Sequence, residues 1–311
     1  MPEGRFVFVG NVIVDIVMQI DAIPEPGGDT LALGSLLTAG GGFNTMTAAV
    51  RDGAAVVFTG QYGTGPFGAT VRSALAGSGF TIVQEGRDDV DSGYCVVLVD
   101  ASTERTFVTV AGAEGTLTAP DLDRVSVRDD DLVFVSGYAV AHPENAAAIL
   151  AWLEGLPAGV RVVTDPSPLV GELPAAVRER LFGRTDILTL NAREAAIVDG
   201  GLELADAAAS ALGLIRPGGS VIVRDGARGA LVARAGVPIA TVPSMPVDAV
   251  DSTGAGDAHG GVLSAALLRG IPLLDAVERA NVAAALAVTR VGPATAPTGE
   301  EIEAALTAFG A

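Results

Sequence analysis

The 311-residue chain contains no lysine; all nineteen of its strongly basic side chains are arginine. That absence removes several chemistries at once. A Walker A loop needs its GK[ST] lysine on the phosphates, a Schiff-base enzyme needs an amine, and a protein kinase needs its strand lysine. Cysteine is almost as scarce: Cys95 alone excludes an intrachain disulfide and a cysteine metal cluster. It falls in the strand-like run SGYCVVLVD, where a buried structural thiol is expected rather than a nucleophile. The two histidines, His142 and His259, cannot build a multi-histidine metal site within one chain and are expected to be structural or on the surface. Positive charge is short overall, with 19 basic against 37 acidic residues and a net charge of -18, so nucleic acid and anionic membranes are poor partners. No apolar run reaches the ~18–20 residues of a spanning helix. The start MPEGRFVFVG also lacks the charged and apolar regions of a signal peptide, and a cytoplasmic location is expected.

What is present points to a packed, ordered chain. Hydrophobic residues make up 49% and charged residues 18%. Short β-branched runs alternate with Ala- and Leu-rich helical stretches: FVFVG then FNTMTAAVRDG, VVFTG then FGATVRSALAGSG, DLVFVSG then ENAAAILAWLEGL, DILTLN then AREAAIVDGG. This is the rhythm of an α/β fold with a parallel-rich, Rossmann-like sheet covered by helices on both faces. Three further helices are predicted near 254–269, 273–289 and 299–309. Two segments break the rhythm. Residues 12–38 and 91–110 read as strand pairs without a helix between them, and predict a small β-sheet lid over the carboxyl ends of the parallel strands. We expect a single domain over 1–311, and the edges of the lid sheet suggest a homodimer through the lid.

Several motifs carry chemistry. GQYGTGPFG holds GxGxxG at Gly63, Gly65 and Gly68, but Pro66 and Phe67 fill its spacer, it is not the first βα turn, and Glu85 closes no ribose-binding strand end. A tight packing loop is expected there. Gly40, Gly41 and Gly42 would let a ligand approach the backbone, and Asn44 offers a donor and an acceptor suited to a polyol, or else caps a helix. Asp15, read at the end of the first strand, could grip two neighbouring hydroxyls or be a solvated loop acid. Asn191 and Glu194 lie three apart at a strand-to-helix junction, as N-capping or as a seat for hydrated magnesium. Asp165 and Arg224 end two more strands, Arg224 with a phosphate as its prospective partner. In VDSTGAGDAHGG, the N–H groups of Gly254, Ala255 and Gly256 at a helix start could stabilise charge growing on a phosphoryl group while Asp257 takes a proton from the attacking hydroxyl. The bland alternative is an acid that only caps the helix.

These stretches together resemble the PfkB, or ribokinase-like, carbohydrate and nucleoside kinases over nearly the whole chain. DSTGAGD at 251–257 is similar to the family's DTxGAGD signature, joined by Asp15, AGGGFN, Asn191 with Glu194, RDGARG and the ERT of the second lid segment. The resemblance implies an ATP- and Mg2+-dependent transfer to a sugar or nucleoside hydroxyl. Asp257 would be the base and Gly254, Ala255 and Gly256 the anion hole. Asp15, Gly40, Gly41 and Asn44 would hold the acceptor. Asn191, Glu194, Arg224, Gly226 and Thr253 would hold the nucleotide and phosphates, with Glu194 meeting Mg2+ through water. Many relatives use a monovalent cation; Asp251 and Thr253, with carbonyls around Ala287, Arg290 and Gly292, stand at matching positions and imply K+ activation. The departures Ile13, Ala39 and Phe43 put ribose itself in doubt as acceptor, while Thr64 with Gly65, and His259 in DAH, would reshape the pocket without touching the transfer chemistry. Alternative readings are a phosphofructokinase-B type phosphosugar kinase, which would need arginines near Asp15 or Asn44, and a non-catalytic sugar-binding regulator. A dinucleotide oxidoreductase is more distant.

Overall fold

A computed structural model describes residues 4–309 except Thr103 and Leu202. Thr103 belongs to the second expected lid segment and lies outside the described residues, as do residues 1–3 and 310–311 of the expected 1–311 unit. Among the described residues the strands are β1 Phe6–Val9, β2 Val12–Gln19, β3 Gly34–Gly41, β4 Val56–Phe58, β5 Thr81–Ile82, β6 Tyr94–Val99, β7 Arg105–Val110, β8 Leu132–Ser136, β9 Arg161–Asp165, β10 Ile187–Asn191, β11 Ser220–Arg224, β12 Ala230–Arg234 and β13 Ala240–Val242.

Side-chain alternation sorts the central strands between two cores. In β1, Phe6 and Phe8 enter one core and Val7 and Val9 the other, because successive residues of a strand point to opposite faces. The main sheet runs β13-β12-β11-β10-β9-β8-β1-β4-β5. It is parallel from β5 to β11, and β12 and β13 add an antiparallel edge. The short turn Asp225–Gly229 cannot carry the crossover that a parallel neighbour requires, so β12 folds straight back on β11. On one face, Phe6, Phe8 and Phe134 form a ring cluster with centroids 5.7–6.1 Å apart. The helices Gly42–Arg51, Ala255–Leu268 and Leu273–Ala287 cover it. The opposite face is covered by Pro143–Gly155, Ala175–Arg184 and Leu204–Ala211.

The second sheet, β3-β2-β6-β7, is the expected lid. Its first pair extends to Gly41 rather than ending near 38, so the glycine run is the last stretch of a lid strand before the helix begins. Leu36, Leu37, Phe107, Val108 and Val110 on this sheet are exposed. The GxGxxG stretch is a packing loop, as expected: the Asp91 carboxylate accepts the Phe67 and Gly68 N–H groups at 2.9 and 2.7 Å, filling the helix start that a phosphate would need.

One close approach positions the site. A methyl group on Gly261 would lie 2.3 Å from the Thr45 carbonyl oxygen, so glycine there lets Ala255–Leu268 press its backbone against Gly42–Arg51. Gly261→Ala should push the helices apart and cost about 1–3 kcal/mol of stability, the usual penalty of overpacking. Urea unfolding measures this, and an unchanged midpoint would mean that the contact has slack.

Candidate active site

The strands on one side of the sheet's switch in order, β8 to β11, deliver their last residues to one crevice, where open α/β sheets bind ligands. Tyr138 follows β8, Asp165 ends β9, Asn191 ends β10 and Arg224 ends β11. Strand register sets Ser136 beside Asp165 and Asn191 beside Arg224. Arg224 sits at the centre. Its Nη1 donates to Asp165 Oδ2 at 2.9 Å and leans on the Gly256 carbonyl at 3.4 Å, and its Nη2 lies 3.5 Å from Glu194 Oε2. Two acids thus hold one guanidinium against the turn that opens the Ala255–Leu268 helix.

Asn191 and Glu194 make the N-cap that their spacing allowed. Asn191 Oδ1 accepts the Glu194 N–H at 2.8 Å, while Glu194 accepts the Asn191 N–H at 2.8 Å and its side-chain amide at 2.7 Å. Burial pushes the Glu194 carboxyl up to about 7, Asp165 adds to the push, and Arg224 opposes it. Gly226 follows in the left-handed region with open space around it. Among the described residues no group of three or more His, Cys, Asp or Glu is arranged to hold a metal.

The turn at 254–257 has the shape that its sequence suggested. Gly254 has φ 74°, and a Cβ there would stand 2.1 Å from the Pro293 carbonyl oxygen, so only glycine serves. The N–H groups of Gly254 and Gly256 find no hydrogen-bond partner among the described residues, and the Ala255 N–H makes only a 3.4 Å contact to Ser252. Asp257 is the third residue of the helix but does not cap it. Its Oδ1 accepts the Thr45 hydroxyl at 2.5 Å, and its Oδ2 accepts the Asn44 amide at 3.4 Å. Asn44, in turn, does not cap the Gly42–Arg51 helix; its Oδ1 is buried without a partner among the described residues. Asp15 completes the group. A Cβ on Gly40 would lie 1.9 Å from Asp15 Oδ2, so Gly40 makes room for that carboxylate, and Gly41 turns the chain at φ 61° into the helix.

These groups share an electrostatic logic. Burial raises Asp257 to about 6, with the Thr45 and Asn44 hydrogen bonds opposing and the Asp165 charge adding. Burial raises Asp15 to about 6 as well, helped by the charge of Asp257. Burial pushes His259 down to about 3, with Arg224 contributing, so the imidazole beside the site is neutral. Cys95 is buried and its thiol is pushed up, as an inert group would be.

Thr45 and Tyr138 were not legible as site residues. Thr45 follows Asn44 in a helix whose pattern gives no hint of a hydroxyl turned inward. Tyr138 is the second residue of a short helix, Gly137–Val140, in the unremarkable run SGYAV. Burial pushes its phenol up to about 12, and the charges of Asp257 and Asp165 add to this, followed by Cys95 and Glu194. The hydroxyl therefore remains a donor, close in charge terms to both halves of the crevice.

Asp251 and Thr253 sit just ahead of the turn. Asp251 Oδ1 accepts the Thr253 N–H at 2.8 Å, the Thr253 hydroxyl at 2.6 Å and the guanidinium of Arg105 from the lid; its Oδ2 accepts the Gly292 N–H at 3.0 Å. The Ala287 carbonyl takes the Arg290 N–H and the Thr295 hydroxyl, each at 3.1 Å. The Gly292 carbonyl takes a 3.4 Å contact from the same hydroxyl. Of the oxygens expected to hold a monovalent cation, the Asp251 carboxylate and the Ala287 and Gly292 carbonyls are thus engaged by donors of the chain itself, and Arg105 already brings a positive charge to Asp251.

Comparison with known proteins agrees with this architecture. The pfkB family carbohydrate kinase profile matches residues 5–299, and the chain belongs to that family. A sugar kinase of Escherichia coli described as uncharacterized, YegV, is 30% identical over 298 residues, covering 94% of this chain and 91% of that one. A ribokinase of Haemophilus influenzae is 29% identical over 307 residues, covering 94% and 95%. The structure of Arabidopsis thaliana ribokinase complexed with ribose and ATP superposes with a TM-score of 0.80 at 22% identity, covering 97% and 98%. The fold is ribokinase-like, with the small separate sheet as its lid. Among the described residues no helix is long and apolar enough to cross a membrane.

The raised carboxyls make stability depend on pH in a defined direction. Asp15 and Asp257 bind protons more tightly in the folded than in the unfolded chain. Their contribution is therefore full below their ordinary range near ~4 and is lost as pH rises through about 6. Asp257→Asn, which does not titrate, should be more stable than wild type by about 1–2 kcal/mol at pH 7.5 and no more stable at pH 4. Denaturant midpoints across that range check this; a gain that does not vary with pH would contradict it.

Proposed function

We propose that the protein transfers the terminal phosphoryl group of ATP to a hydroxyl of a sugar, with Asp257 as the general base. The observation that carries this reading is the placement of Asp257. A carboxylate raised to about 6 stands at the mouth of a helix whose first N–H groups are free, facing a second acid and an amide whose oxygen is unpaired. A general base works best with an affinity for protons near the working pH, and Asp257 approaches it.

Each neighbour then has a task. Asp15 and Asn44 grip the acceptor, the carboxylate by accepting hydroxyl protons and the amide through its free Oδ1. Thr45 holds Asp257 in the orientation that leaves its remaining lone pairs toward the hydroxyl. The Gly254–Gly256 backbone receives charge only as it develops on the transferred group, since a resting anion there would meet the Asp257 charge. Arg224 supplies the positive charge that a lysine supplies elsewhere, and the phosphates would draw it from Asp165 and Glu194. Glu194 and Asn191 would face magnesium through water, with most of its coordination left to solvent and phosphate. Magnesium brought with ATP would neutralise charge on the phosphates. Tyr138 is placed to donate a hydrogen bond to either substrate.

The structural neighbour bound to ribose and ATP supports a sugar acceptor and an ATP donor. A sugar phosphate fits less well, because the motifs bearing Asp15 and Asn44 contain no arginine, and the charge acting on Asp15 is the negative one of Asp257. ATP turnover on a panel of sugars, nucleosides and sugar phosphates tests the proposal. We expect phosphorylated product from an unphosphorylated sugar, and a fall in kcat of about 10²–10⁴-fold in Asp257→Asn, the range that general base catalysis contributes. Product from no acceptor, or near-full rate in the variant, would sink it.

A further inference from the structure

Among the described residues, Arg105 fastens the lid to the approach of the Gly254–Gly256 turn. Arg105 opens β7 at the outer end of the lid, opposite Val99 and next to the turn that Asp100 closes by accepting the Ser102 and Glu104 N–H groups. The other end of the same lid carries Asp15 and leads through Gly40 and Gly41 into the Asn44 helix. From the tip, Arg105 reaches 146 residues along the chain to pair with Asp251 and donates to Ser252 Oγ at 3.2 Å. The crevice is therefore bounded by the lid at both ends, by covalent connection at one and by an ion pair at the other.

The acid that Arg105 grips also shapes the turn. Asp251 Oδ1 accepts the Thr253 N–H and hydroxyl, and its Oδ2 accepts the Gly292 N–H. Gly254 follows at once in the left-handed conformation that exposes the helix N–H groups. Asp251 is thus a junction between the lid tip, the 290s loop and the approach to Gly254–Gly256. The pair is only partly exposed, with side-chain accessibilities of 21% for Arg105 and 16% for Asp251, so solvent weakens it less than a surface pair.

We propose that Arg105 is a positioning residue that straps the closed lid to the catalytic turn and supplies, from within the chain, the positive charge that a monovalent cation would otherwise bring to Asp251. Two separate observations meet in this assignment. The carboxylate is already bound by a guanidinium, and the Ala287 and Gly292 carbonyls that would share a cation are turned onto the Thr295 hydroxyl. A cation entering here would have to displace Arg105 and so release the lid. Lid closure and turn geometry become one event that does not call on K+. The turnover consequence rests on the kinase reading; the lid consequence does not.

The test compares wild type, Arg105→Ala and Arg105→Lys in 100 mM-scale chloride salts of K+, Na+ and tetramethylammonium at equal ionic strength, where bulk screening is the same. Hydrogen–deuterium exchange of residues 94–110 and the melting temperature are read on the free protein, and kcat and KM on any acceptor found. In wild type, all readouts should agree within twofold across the three salts. Arg105→Ala should raise exchange at the lid tip at least tenfold and lower kcat more than tenfold, with K+ restoring part of both; Arg105→Lys, which keeps the charge but loses the fork, should fall between. A wild-type protein whose melting temperature or rate depends strongly on K+ would overturn the assignment, and so would an Arg105→Ala lid that exchanges like wild type. Because exchange and melting need no acceptor, a wrong acceptor would leave those results standing, whereas a wrong strap would show in them even if turnover is found.

Discussion

Everything at this site is arranged around keeping Asp257 half out of water without neutralising it. A carboxylate losing solvent becomes a better proton acceptor, but only while enough hydrogen bonds favour its charged form to keep it ionised near neutral pH. Thr45 and Asn44 provide them, and they can do so only because Gly261 lets two helix backbones meet. The same helix that carries Asp257 opens with Gly254 in a conformation closed to other residues, so the carboxylate and the Gly254 and Gly256 N–H groups lie within one turn of a single element. Misplacing that element by an ångström would move Asp257 away from Thr45 and Asn44 on the neighbouring helix, which is why close packing behind the site matters as much as the residues in it.

The missing lysine shapes the rest. With no flexible ammonium to send toward phosphate, the chain uses arginines that are already held: Arg224 between Asp165 and Glu194, and Arg105 on Asp251. A guanidinium is pre-organised and stays charged, but it must be held in place by acids until substrate arrives. Around Arg224 acids outnumber the one guanidinium, in keeping with the chain's net charge of -18. An incoming phosphate would exchange one set of anionic partners for another.

Much of this was legible in the sequence, for physical reasons that differ from element to element. The alternation of β-branched runs and Ala-rich stretches revealed the sheet, since burial on both faces leaves a strand no polar positions. The DSTGAGD turn was legible because few functions need glycines with an acid at a helix start. Asn191 and Glu194 were visible, but their spacing alone left capping and metal binding open, and the structure shows the capping geometry made. Thr45 and Tyr138 were invisible because their significance lies in which distant residue they face. The antiparallel edge of the main sheet came from a turn too short for a crossover, and Arg105 met Asp251 only once the lid folded across the crevice. Pattern reports periodicity and local turns; it does not report contacts between segments more than a hundred residues apart.

The central claim is that an Asp257 tuned by Thr45 is the base, and its most direct test is the acid limb of the pH profile of kcat/KM in wild type and Thr45→Val. The account predicts a tenfold loss per pH unit below a midpoint near 6 in wild type. Removing the hydroxyl that favours the charged carboxylate should move that midpoint upward. A limb near pH 4, or one that stays in place when Thr45 is changed, would contradict it.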